Sequence, residues 1–183
     1  MLRVKIPDLE FYDEKANQFI MQKGCDLLME HSLVSIAKWE SKWHKPFLSE
    51  KNDKTLDETI DYYRCMTITQ NVNPNVYRNI TKDVAEKIYK YINDPMTATW
   101  FNDRNAVRGS RNEEVITAEI LYYDMIALGI PFECEKWHLN RLLTLIRVVS
   151  IKNAPSKKMS KNEVLERQRR LNAQRRAKMN SKG

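Results

Sequence analysis

The chain has 183 residues, 42% of them hydrophobic and 30% charged, and a net charge of +7; that is room for one domain with at most an appendage. Four glycines and six prolines are too few for an all-β protein of many tight turns and favour helices. Cys25, Cys65 and Cys134 stand far apart without a CxxC pair, which excludes a disulfide framework.

In chain order, "LRVKI" alternates in polarity, and "EFYDEKANQFIM" has two apolar ends around a polar turn at 13–17. "CDLLME" can pair with them, so a small N-terminal antiparallel sheet is expected. Ser32 is a good N-cap for a helix to Trp43, and Pro46 forces the chain out of it. "TLDE", opening at Thr55, has the capping-box pattern and predicts a helix to about Thr69, where "NVNPN" breaks it. Another helix is predicted over 82–92, with Val84, Ile88 and Tyr91 on one stripe, followed by a linker with a turn at Asp94-Pro95.

The densest apolar stretch is 112–128, where so much is hydrophobic that a helix there should be covered on most sides. Gly129 and Pro131 mark its end. A second long helix is predicted over 133–152, striped by Leu139, Leu142, Leu143, Ile146 and Val149. Two long helices joined by a short break should pack antiparallel and form the core. Ser160 with Glu163 starts a last helix to Met179, whose few apolar residues give it little to bury. The expected fold is α+β and mostly helical: a small antiparallel sheet, a long antiparallel helix pair, and a basic C-terminal helix or tail. Residues 1–153 make the globular part and 154–183 the appendage.

Charge is distributed unevenly. Ile151–Gly183 holds eleven Lys and Arg against Glu163 and Glu166, a balance of +9, which leaves −2 over Met1–Ser150. The body is mildly acidic and the tail strongly basic.

Signs of chemistry are few. His31, His44 and His138 lack a second His or Cys at ligand spacing, so no metal site is expected. No glycine-rich phosphate loop is present, and no cofactor is expected. Cys134 and His138 could share a helix face, a spacing that chance supplies in many helices, against the plain alternative of a core cysteine. Asp57-Glu58 and Glu113-Glu114 fall in first turns, where the helix dipole accounts for them. A non-enzymatic protein is expected.

Two features point to binding. Leu33, Ile36, Trp39 and Trp43 recur at helical spacing as one stripe, which reads either as core or as a protein-binding face. Glu40 can pair with His44 one turn on. In the tail, Arg167, Arg169, Arg170, Arg175, Arg176 and Lys178 surround a helix that suits nucleic-acid phosphates or an acidic partner. No aromatic residue interleaves with them for base stacking.

The segments "HSLVSIAKWESKWHKPFL", "MTITQNV" and "WHLNRLLTLIRVVSIKN", with "RRLNAQRRAK" near the end, resemble the tail assembly chaperones of long-tailed bacteriophages over about residues 28–178. The resemblance implies a non-catalytic protein of the infected host's cytoplasm. Such proteins coat the apolar, helical tape measure protein, keep it soluble and recruit tail tube subunits. Tape measure protein, tail tube protein and further copies of the chain are thus the partners implied. No apolar run reaches the ~18 residues of a membrane span, and "MLRVKIPDLE" lacks a signal-peptide core. A location in the host cytoplasm, without a membrane partner, is expected.

Overall fold

The computed structural model describes residues 1–13, 17–49, 53–101, 115–154 and 161–179. Its fold is α+β and mostly helical, in two compact units, Met1–Ser150 and Ile151–Gly183. β1 (Leu2–Lys5) and β4 (Asp26–Met29) pair antiparallel, with Leu2 opposite Met29 and Lys5 opposite Asp26. Alternation along these strands turns Val4, Leu27 and Met29 into the core. β2 (Leu9–Asp13) and β3 (Gln18–Gln22) form a separate hairpin, so the single expected sheet is two. Residues 26–29 pair with β1 because that register buries Leu27 and Met29 with Val4. The hairpin rejoins this sheet through Gly24, whose close approach to the backbone of Ile6 and Pro7, just past β1, tolerates no side chain: a Cβ there would lie 2.0 Å from the Ile6 carbonyl oxygen.

α1 (Leu33–Trp43) begins at Ser32 with a capping box. The Ser32 N–H donates to Ser35 Oγ at 3.0 Å, and the Ser35 N–H to Ser32 Oγ at 3.4 Å. The helix ends at His44, held in the left-handed region at φ 53° just before Lys45 and Pro46. α2 (Leu56–Met66) opens on the Thr55–Glu58 capping box. It stops three residues short of the expected Thr69, because residues 67–69 run along the free edge of β4. There the Ile68 N–H donates to the Leu28 carbonyl at 2.8 Å, and the Glu30 N–H to that of Met66 at 2.9 Å. A 3-10 turn (Pro74–Asn79) leads to α3 (Lys82–Ile92), where Val84, Ile88 and Tyr91 are buried as the stripe predicts.

α4 (Ala118–Ala127) starts later than 112; residues 112–114 lie outside the described residues, and 115–117 are not helical. Gly129, at φ 66°, ends it in a Schellman motif. The Gly129 N–H donates to Ile126 at 3.2 Å and the Ile130 N–H to Met125 at 2.8 Å. The helix expected over 133–152 is broken. A 3-10 turn (Phe132–Lys136) is followed by extended Trp137, and α5 (Leu139–Asn153) starts only after His138. Tertiary pairing breaks it: His138 bridges Ser32, and the Leu139 N–H donates to the His31 carbonyl at 2.7 Å.

The centre of Met1–Ser150 is therefore α1, on which α2, α4 and the 132–136 turn pack, and not an α4/α5 pair. α5 buries Leu139 and Leu142 near its start, while Leu143, Ile146 and Val149 are only half-covered. In the second unit, α6 (Lys161–Met179) is a 19-residue helix. The proposed Ser160 cap lies outside the described residues.

Candidate functional site

The aromatic stripe of α1 faces inward. Leu33, Ile36 and Trp39 are all 0% exposed. The Trp39 indole Nε1–H donates to the Glu58 carbonyl at 2.8 Å, and Phe47 stands edge-on to its ring at 5.2 Å. Trp43 is half-buried and donates its Nε1–H to Asp61 Oδ2 at 2.9 Å. The reading of these four residues as a protein-binding face is corrected: α2 and the loop carrying Phe47 cover the stripe. Helical spacing reveals a stripe but not what lies against it.

Three carboxylates are buried around it, and none is offered to a substrate. Glu40 Oε1 accepts the Phe47 N–H at 2.6 Å and its Oε2 accepts the Ala118 N–H at 2.7 Å. Glu40 thereby ties the end of α1 to the start of α4, whose own cap residue Thr117 makes no side-chain capping bond. The local Glu40–His44 pair expected from i,i+4 spacing gives way to these two backbone donors. Glu58 takes Lys45 Nζ at 2.6 Å and the Thr55 N–H at 2.8 Å, which hold its carboxyl below the usual range, the lysine bond first. Asp61 receives Lys42 at 2.5 Å in addition to Trp43.

His31 and His138 meet in the interior with ring centroids 5.1 Å apart. A carbonyl oxygen only accepts, so His138 carries its proton on Nε2, 2.9 Å from the Tyr91 oxygen, and its Nδ1 accepts the Asn140 N–H at 3.3 Å. The Tyr62 hydroxyl and His31 Nδ1 share a buried hydrogen bond, and the Tyr91 hydroxyl donates to Glu30. Burial, with a smaller contribution from His138, pushes His31 down to about 3. A histidine depressed from 6.5 stabilises the fold fully above pH 6.5 and loses that contribution as pH falls toward 3. Thermal midpoints should therefore drop between pH 6.5 and 5, above the range where Glu58 titrates. His31→Gln should be less stable at pH 7 but flatter across that window; an unchanged slope would assign the acid sensitivity elsewhere.

Cys134 and His138 do not share a helix face, since the break at Trp137 separates them. His138 is occupied by Tyr91 and Asn140, and burial, then Glu133, pushes the Cys134 thiol up. Among the described residues no cluster of three or more His, Cys, Asp or Glu is placed to hold a metal. A cleft of about 460 Å³ between β3 and residues 69–76 contains Lys23 and Cys25 as its titratable groups. Burial and Asp26 raise that thiol too. No described helix is long and apolar enough to cross a membrane.

On α6, Arg167, Arg169, Arg170, Arg175, Arg176 and Lys178 are all exposed. At 100° per residue they fall around the whole circumference, while Val164, Leu165, Leu171 and Met179 gather on one arc broken by Arg175.

The site that sequence reasoning missed is on α4. Ala118, Leu121 and Met125 face the core, yet Tyr123 and Ile126 on the opposite side are 68% and 63% exposed. Phe132 adds to this surface through Tyr122, their rings 6.4 Å apart. The composition of 112–128 predicts a helix covered on most sides, and here one side is bare. The signal was therefore in the sequence, read as burial within the chain. A second bare face is on the hairpin, where Tyr12, Phe19 and Met21 point to solvent.

No family model matches the chain, and no curated protein or solved structure matches it.

Proposed function

We propose that the protein is a non-enzymatic tail assembly chaperone of the host cytoplasm, which binds the tape measure protein and keeps it soluble. The observation that supports this reading is the bare apolar side of α4, Tyr123, Ile126 and Phe132. Apolar patches of this kind, bordered by polar residues, mark interaction sites, and a helix-in-groove contact is the simplest way to cover one. The contact surface is therefore α4, not the Trp39/Trp43 stripe. Co-expression with the tape measure protein tests the reading: the client should stay soluble and co-purify, and an insoluble client with no complex would end it.

A second reading, nucleic-acid binding, draws on the exposed arginines of α6. The same preparations titrated with duplex DNA separate the two. Under this second reading affinity falls steeply with salt, with a slope of about −0.9 per phosphate neutralised. It should collapse when Arg169, Arg170, Arg175 and Arg176 are changed together to Gln. Weak binding indifferent to those changes would leave the chaperone reading alone.

A further inference from the structure

The bare side of α4 is apolar at its centre and acidic at its margin. Over residues 115–136, to the end of the 3-10 turn, the chain carries Glu119, Asp124, Glu133 and Glu135 against one basic residue, the exposed Lys136, so the balance remains acidic. Glu119 lies one turn before Tyr123 on the same exposed side. Glu133 follows exposed Phe132, and Glu135 accepts the Tyr122 hydroxyl at 2.9 Å. Tyr122 is in turn one helical turn from Ile126, which makes Phe132, Tyr122, Ile126 and Tyr123 one continuous surface.

We infer that this surface receives an α-helix of a partner protein whose apolar stripe is flanked by Lys and Arg. The inference rests on the reading of the protein as a binder of a helical client and specifies the chemistry of that helix. Apolar contact supplies the affinity, and the acidic margin selects the partner and its orientation. The same margin disfavours other occupants. An acidic helix would set like charges together, and a phosphate backbone or anionic lipid surface would be repelled. Two copies meeting symmetrically through this side would set one acidic margin against the other.

The experiment uses the full-length protein and two labelled synthetic helices of about five turns with the same leucine stripe, one flanked by Lys and Arg, the other by Glu. Fluorescence anisotropy is compared with that of Tyr123→Ser/Ile126→Ser, so that binding by the arginines of α6 is subtracted. The α4-dependent part should favour the basic helix by about tenfold or more at low salt, and the preference should shrink as salt screens the rim. Glu119→Lys/Glu133→Lys should reverse it. Equal α4-dependent affinity for both helices would overturn the inference and leave the helix-binder reading standing. If neither helix bound through α4, both would fall. A salt-sensitive dimer of the protein that the Tyr123/Ile126 changes dissolve would name a second copy as the occupant and overturn the inference.

Discussion

Replacing Trp39 by alanine should lower the stability of the protein by about 3–5 kcal/mol, the usual cost of emptying a fully buried aromatic site. The indole is 0% exposed and packs against Phe47, and its loss also removes the side-chain donor to the Glu58 carbonyl. A domain is typically stable by about 5–15 kcal/mol, so the variant should sit close to its unfolding threshold. Chemical denaturation checks this directly. Trp43→Ala, at the half-buried end of the same stripe, should cost clearly less. A Trp39→Ala midpoint near wild type would mean that the stripe is not the centre of the core.

Glu40→Ala is the second large effect, expected at about 2–4 kcal/mol, because a buried and a half-buried N–H lose a charged acceptor at once. The Phe47 and Ala118 donors belong to different segments, so the loss should loosen both the loop after α1 and the first turn of α4. Hydrogen exchange should quicken at both places together. Glu40→Gln keeps one acceptor oxygen and points an NH2 at the other donor, so it should recover only part of the loss. A change below about 0.5 kcal/mol for Glu40→Ala would contradict the bridging role.

What could be read from the sequence was local, and what could not was tertiary. Ser32, Thr55 and Gly129 carry their capping chemistry in a few adjacent residues, and the structure puts helix ends beside each. The 82–92 helix matches to the residue because the distant donors that reach it, His138 at the Tyr91 carbonyl and Asn140 at that of Ile92, take only carbonyls of its last turn, which have no partner within the helix. α2 ends early because β4, some forty residues away, claims the N–H of Ile68. The 133–152 helix is broken because His31 and Ser32 claim the chain at His138 and Leu139. Neither partner can be found by periodicity. The same limit governs the site. The stripe of α1 and the apolar density of α4 are both plain in the sequence, but only the packing shows that α1 is covered and one side of α4 is not.

The most direct test of the central claim compares wild type with Tyr123→Ser/Ile126→Ser in co-expression with the tape measure protein. Both side chains are exposed, so the variant should keep the wild-type thermal midpoint, and any loss of binding then reads the contact itself. Wild type should give a soluble complex, and the variant an insoluble, uncomplexed client. Equal recovery of the complex by both proteins would contradict it.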